Sequence, residues 1–324
     1  MRWIEKLGVG FNDCRSWFQE NRNRGFGGRW NRLVTLRNAT ELRLPPPRNN
    51  ETTRVHVLTG HQSWQRGLWM LASLFHASGK AWPVTFHDDG TCDRIVQAEL
   101  LAVAPFAQFL GRSDADARME KKLKPFPHTL SLRREYPSLL RLLDACMLFE
   151  EFNQLVLSCD IIFFLTPKEL LWWDQDGSAE SLFLEGAGNL SSELLSAIDQ
   201  RLGIRPVRQL NPGVAALRSG FLDLPLIEEV LAQTSIIWAE QRWAVEQALF
   251  ATLAAVKPSS LLPSSYVVPA GHAKPAAAAM RYYPGRVHDQ FYAEGLSTMA
   301  PILLSQFGRR RPHRSTRPVW LPTS

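Results

Sequence analysis

The segment Leu155-Val156-Leu157-Ser158-Cys159-Asp160-Ile161-Ile162-Phe163-Phe164 sets one carboxylate between two apolar runs. An unpaired carboxylate is costly to bury in so apolar a stretch, so the chain is expected to turn there and present Asp160 at a strand end. An exposed strand-end carboxylate can hold a divalent cation. Other polar groups fall at similar places: Thr59-Gly60 closes the run from Val55, Asp88-Asp89-Gly90 closes the run from Trp82, and Asn211-Pro212-Gly213 opens a run to Leu217. The Asp88-Asp89-Gly90 and Asn211-Pro212-Gly213 sequences suit plain turn chemistry as well as ligand contact. Cys159 offers a thiol beside Asp160, but no His lies near it in sequence, and a free Cys is more often a buried small hydrophobe.

The elements that must position these groups alternate. Val55 to Leu58 reads as a strand, Trp64 to Ala77 as a helix closed by Gly79, and Trp82 to Phe86 as a second strand, which together make a βαβ unit. The pattern continues with a helix near Asp93 to Val103, a strand near Gln108 to Leu110, and helices through Asp114 to Lys124 and Leu139 to Phe149. After the central segment comes Pro167 to Trp173, and then helices at Leu224 to Gln233 and Glu240 to Ala255. Late strands are expected at Ser265 to Val268 and Ala278 to Tyr283, then a helix near His288 to Leu304. Such alternation implies an α/β domain with a largely parallel sheet, whose ligands bind at the carboxyl ends of the strands.

Composition sets the class. The chain has 324 residues and is 45% hydrophobic, enough for a large core. No run approaches about 18 apolar residues and Met1 to Lys6 lacks the apolar core of a secretory signal, so a cytoplasmic location is expected. Four widely spaced cysteines form no C-x-x-C pair and suggest neither zinc nor disulfides. Net charge is +6, carried by the ends: Met1 to Arg54 is +6, Gly308 to Ser324 is +5, and the body between is −5. Trp3, Trp17, Trp30 and Trp320 stand among the arginines. Arg with Trp suits an anionic membrane surface, and nucleic acid is the less favoured partner.

No G-x-x-x-x-G-K-[ST], G-x-G-x-x-G, H-E-x-x-H or G-x-S-x-G motif occurs where its chemistry would need it. What remains is a set of acidic strand-end turns, as a nucleotide-sugar site requires, because the departing diphosphate develops negative charge. On these residues the chain resembles the GT-A glycosyltransferases, the nucleotide-diphospho-sugar transferase superfamily, and within it bacterial members related to the glycogenin and lipopolysaccharide galactosyltransferase group. Val55 to Gly60 is similar to the family's first strand and turn, and Phe86 to Gly90 to its second strand end. Leu155 to Phe164 takes the place of the apolar D-x-D segment, which here reads Ser158-Cys159-Asp160. Asn211-Pro212-Gly213-Val214 resembles the N-x-G-V turn, Glu246-Gln247 the D/E-Q helix, and Arg281 to Arg286 the late H-x-x-G turn with Tyr282 at the His position.

The resemblance implies a GT-A-like, Rossmann-type domain over 54–306, with basic extensions at 1–53 and 307–324. It implies transfer of a hexose from a nucleotide-diphosphate sugar to a glycan or lipid-linked acceptor, at the inner face of the membrane. The alternative it leaves is a degenerate protein that binds nucleotide or glycan without catalysis. Asp160, Glu246 and Gln247 would be catalytic. Thr59, Gly60, Asp88, Asp89, Ser158, Asn211, Gly213, Tyr282, Gly285 and Arg286 would bind the donor, and Asp160 would hold Mn²⁺ or Mg²⁺. Ser158 brings no charge, so compensation is expected from Arg286, Arg281 or Lys274, with His272 or His288 replacing the imidazole. Trp172-Trp173 suits either core packing or stacking on an acceptor ring.

Overall fold

The computed structural model describes residues 35–175, 179–186, 192–241, 244–268 and 278–309. The strands are β1 (Thr53–Thr59), β2 (Val84–Asp88), β3 (Gln108–Leu110), β4 (Asn153–Leu157), β5 (Ile161–Phe163), β6 (Ser181–Glu185), β7 (Leu210–Leu217), β8 (Ser259–Leu261), β9 (Tyr266–Val267) and β10 (Met280–Tyr282). The helices are α1 (Trp64–Ser78), α2 (Arg94–Val103), α3 (Arg112–Leu123), α4 (Pro127–Glu135), α5 (Leu143–Leu148), α6 (Lys168–Gln175), α7 (Ser192–Leu202), α8 (Leu224–Gln233), α9 (Ser235–Glu240), α10 (Val245–Val256) and α11 (Ser297–Phe307).

Seven strands form one sheet in the order β3-β2-β1-β4-β7-β6-β8, in which only β7 runs antiparallel to its neighbours. This is the α/β, mostly parallel architecture that the alternation predicts. The chain winds from β1 outward through β2 and β3, then returns so that β4 pairs with the other side of β1. Strand order therefore reverses between β1 and β4, and in open α/β sheets the crevice at such a point is where ligands bind. A second, three-stranded sheet, β5-β10-β9, stands beyond the carboxyl end of β4.

Side-chain alternation explains the two cores. Val55 and Val57 of β1, Leu155 and Leu157 of β4, and Val214 and Ala216 of β7 face a cluster that includes Leu68 and Leu71 of α1 and Leu303 of α11. Val156, Ala215, Leu217 and Phe183 point to the opposite face, where Leu132, Leu143, Ile198, Val230 and Phe250 cover them. Period-two strands buried on both faces read as nearly continuous apolar runs. The compact body begins before the expected boundary at 53/54. Ala39 and Leu42 are fully buried in the first core, Leu42 bridges to Gly308, and Leu44 N donates to Val103 O.

Several elements differ from expectation. The helix expected over Leu139 to Phe149 is a tight helical turn at Pro137–Arg141 followed by α5. The helix expected from Glu240 is α9 and then α10, with Gln241 leaving helical geometry at φ −120° and ψ 45°. Strands β6 and β8 and helix α4 lie where the sequence carries no clear period, and α7, whose Leu194, Leu195 and Ile198 repeat at helical spacing on a buried face, adds to the expected elements. Residues 1–34 and 310–324, which hold the Trp-bearing basic ends, lie outside the described residues.

Candidate functional site at the carboxyl ends of β1 and β4

Strand β4 stops at Leu157 and β5 restarts at Ile161, so residues 158–160 form the turn that the isolated carboxylate predicts. The turn is pinned from two sides. Ser158 N donates to Gly213 O at 2.9 Å, and Tyr283 N donates to Asp160 O at 2.8 Å. These bonds fasten the end of β4 to the start of β7 and to the end of β10. They bring Ser158, Asp160, Gly213 and Tyr282 to one mouth.

Gly213 is there because of Tyr282. A Cβ at position 213 would lie 2.7 Å from Tyr282 Cε1 and 2.8 Å from Cδ1, a distance at which something must move. The Tyr282 phenol faces Arg141, Asp160, Ser158 and Glu246; burial pushes it up, while Arg141 and Ser158 oppose the shift.

Asp160 is partnered by a guanidinium and an imidazole. Arg66, one turn into α1, sets its Nε 2.6 Å from Asp160 Oδ1 and donates Nη1 to Gln62 O at 2.8 Å. His288 Nε2 stands 3.3 Å from the same Oδ1, without hydrogen-bond alignment. Burial alone would raise the Asp160 carboxyl, but His288 and Arg66 together hold it below the ordinary carboxylate range. Burial likewise lowers the Arg66 guanidinium, and Asp160 more than reverses that, so Arg66 is charged at every working pH.

A second ion pair lies on the β7 side. Arg141 Nη2 is 2.6 Å from Glu246 Oε1, with both side chains about nine-tenths buried. Burial works against this guanidinium, and Glu246 and Tyr282 restore it. Neither Arg66 nor Arg141 was singled out by the sequence. The periodicity of α1 places Arg66 just after Gly60, but its partner is 94 residues away in the chain.

The other expected residues divide. Asp88 and Asp89 build the loop after β2. Asp88 Oδ1 accepts from Gly90 N at 2.8 Å and Cys92 N at 3.1 Å, and Asp89 Oδ1 accepts from Thr91 N at 2.9 Å. Gly60 makes room for them, since a Cβ there would lie 2.0 Å from Asp89 Oδ2. Thr59 is buried and donates to His87 O at 3.2 Å. Asn211 Oδ1 accepts from Gly213 N at 2.9 Å, and Gln247 Nε2 donates to Leu210 O at 2.5 Å, so both shape the entry to β7. Gly285 is exposed with φ +49°. The side chain of Arg286, along with His272 and Lys274, lies outside the described residues. Arg281 is buried and paired with Glu294 Oε1 at 2.5 Å, a structural role.

Cys159 is buried, donates to Leu58 O at 3.1 Å, and has its thiol pushed up to about 12 by burial and Asp160, which suits packing and not nucleophilic attack. Trp173 is core and donates to Glu180 O at 3.0 Å, whereas Trp172 is exposed.

The donors around Asp160 do not fit the divalent cation expected there. Hard cations take six or more oxygen ligands and depend on ligand charge. Among the described residues no three His, Cys, Asp or Glu side chains gather at one point. Asp160 brings the only carboxylate of the turn, its Oδ1 is already engaged by a guanidinium, and His288 adds a single imidazole.

A concavity also lies elsewhere. A cavity of about 650 Å³ opens between Gln154 at the start of β4 and Arg218 to Pro225 after β7, at the opposite end of these strands. Its lining includes Glu150, Arg218 and Asp223 but none of the residues that the sequence singles out, so we place the candidate site at Asp160. Among the described residues no helix is long and apolar enough to cross a membrane.

No protein-family model matches the chain, and no curated protein matches it in sequence. Solved structures that resemble it are glycosyltransferases. The galactosyltransferase LgtC, solved with donor and acceptor sugar analogues, has a TM-score of 0.48 at 16% identity, over 80% of this chain and 98% of its own. Mouse xyloside xylosyltransferase 1 has a TM-score of 0.48 at 11% identity, over 72% of this chain and 98% of its own. The mannosyltransferase Ktr4p from S. cerevisiae has 0.45 at 9%, over 86% and 90%. With each score below 0.5, the likeness is a partial one of chain path.

Proposed function

We propose that the chain is a GT-A-like glycosyltransferase that moves a hexose from a nucleotide-diphosphate sugar to a glycan or lipid-linked acceptor. The observation that supports this best is the meeting of Ser158, Asp160, Gly213 and Tyr282 at the point where strand order reverses, beside two paired arginines. Four residues from β4, β7 and β10 that the sequence singles out separately lie together at the end of the sheet where α/β folds bind ligands.

In this reading the nucleoside lies against the loops after β1 and β2, where Gly60 and the Asp88-Asp89 turn close on each other. The diphosphate lies over the Ser158 to Asp160 turn. The C1–oxygen bond of the donor breaks with its electron pair leaving on the diphosphate, while an acceptor hydroxyl forms the new bond to C1 and gives up its proton. Preorganised charge at the leaving oxygen is the largest aid a protein can give such a step. Asn211 and Gln247 act as positioning residues, because each is spent on the backbone at the start of β7. Glu246, paired with Arg141, keeps a charged group beside Tyr282. The basic, Trp-bearing ends bring the enzyme to anionic membrane where lipid-linked acceptors reside.

The test is release of nucleoside diphosphate from a panel of UDP- and GDP-hexoses, with and without glycan acceptors and anionic vesicles. Wild-type protein is expected to turn over at least one donor, faster with vesicles that carry an acceptor, and Asp160→Asn to slow it by roughly 10²-fold. Binding without turnover across the panel would leave a nucleotide-binding protein in place of the enzyme.

A further inference from the structure

We propose that this chain handles the diphosphate without a divalent cation, and that the Arg66 guanidinium, anchored by Asp160, occupies the position a metal would take. The inference rests on the reading of the Asp160 mouth as a nucleotide-sugar site.

Three observations carry it. Asp160 Oδ1 receives Arg66 Nε at 2.6 Å, so a cation already holds one of the two carboxylate oxygens that a metal could use. A dication on that oxygen would have to displace the guanidinium or sit against it, and two like charges at such range repel strongly. The partner position two residues earlier is Ser158, a neutral hydroxyl, and among the described residues no further acidic or imidazole ligand completes a set of three. Among the described residues Asp160 has one imidazole beside it, His288 Nε2 at 3.3 Å from Oδ1, and no second carboxylate, which falls short of a metal's ligand set, yet it has what holds an arginine in place.

Arg66 is also built to present its charge. Its side chain is only 14% exposed, its Nη1 is tied to Gln62 O, and its Nε is tied to Asp160, which fixes the plane of the guanidinium. Gly67, the next residue, packs against Cys159 of the same turn: a Cβ there would stand 3.1 Å from the Cys159 sulfur, so α1 approaches the 158–160 turn closely. A planar fork held near a phosphate position is well matched to bidentate recognition of phosphate oxygens. Arg141 extends the same charge toward β7, with its Nη1 3.5 Å from Pro212 O. In this site Asp160 is a positioning residue for Arg66, and the charge that offsets the departing diphosphate belongs to the protein.

The experiment is calorimetric titration of the full chain with UDP and with GDP, once in excess EDTA and once in excess Mn²⁺. The expected result is binding of one nucleotide in EDTA with an affinity that Mn²⁺ leaves unchanged. Arg66→Met should weaken it about tenfold or more, the loss of a charge-assisted bond, while Arg66→Lys should fall between. Folding of each variant is checked by circular dichroism, and the wild-type comparison stands even if Arg66→Met does not fold. Binding only with Mn²⁺, or a folded Arg66→Met that binds like wild type, overturns the inference and leaves the transferase reading intact. Absence of binding by either nucleotide in both conditions overturns the transferase reading, and the inference with it.

Discussion

Gly213 answers to the close approach of Tyr282. With Tyr282 Cε1 at 2.7 Å from the position of a Cβ, Gly213→Ala must push the tyrosine ring away or shift β7. Overpacking of this kind costs about 1–3 kcal/mol, and displacement of Tyr282 from Ser158 opens the mouth. The variant is expected to unfold at lower urea and to bind nucleotide about tenfold more weakly, on the scale of one lost polar contact; unchanged stability and affinity would show that Tyr282 is not seated as described. At this scale the sequence was partly legible. Asp160 stood out because a carboxylate between two apolar runs has few places to go, and Gly213 because Asn211-Pro212-Gly213 reads as a turn, although the structure carries all three inside β7, where pairing with β6 overrides turn chemistry. Arg66 and Arg141 did not, since each gains its meaning from a carboxylate distant in sequence, and helix periodicity says nothing about which charge waits across a turn.

Strands β1 and β2 contain a second pair of chemical groups, buried below the mouth. His56 and His87 lie diagonally across adjacent strands, His56 opposite Thr85 and His87 opposite Leu58, with Nδ1 of His56 2.8 Å from Nε2 of His87, and both are at most 2% exposed. Burial first, then neighbouring His87 and Arg54, lowers His56 well below the usual imidazole range. Burial, with Arg133 and Arg54, lowers His87 to about 3. Both rings are therefore neutral in the folded protein near pH 7, while in the unfolded chain they protonate near pH 6.5. Below that value the unfolded state binds more protons than the native state, so stability must fall as pH falls toward the depressed native values. Urea unfolding from pH 6.5 to 5 should show a loss approaching about 1.4 kcal/mol per pH unit for each histidine. Stability that is flat or rising over that interval would mean the pair is charged or exposed.

The element scale also shows where sequence reading stops. The β1-α1-β2 unit and the β4-turn-β5 segment were legible from strong apolar runs and from Gly79 at the helix end. By contrast β6, with Ser181-Leu182-Phe183-Leu184-Glu185, and the three-residue β8 are too short for a period to separate strand from loop. The reversed direction of β7 between β4 and β6 is a matter of pairing, and nothing in its own residues encodes it.

At the scale of the whole molecule, two candidate places for a ligand lie at opposite ends of the strands of one sheet. The end at Gln154 and Arg218 has a cavity of about 650 Å³. The end at Asp160 has the topological reversal, the crossed ion pairs and the residues that the sequence singled out. Fold topology and charge favour the second, while volume alone favours the first. Small-molecule sites combine a concavity with a few convergent polar groups, so the choice can be put to the molecule directly.

Hydrogen exchange of the full chain, measured by mass spectrometry with and without the nucleotide that binds in calorimetry, is the most direct test. Protection confined to residues 60–68, 88–92, 158–162, 211–214 and 280–283 is the predicted result. Protection confined to 146–154 and 218–225, around the cavity at Gln154 and Arg218, would contradict the assignment of the site and with it the account of how this chain meets its donor.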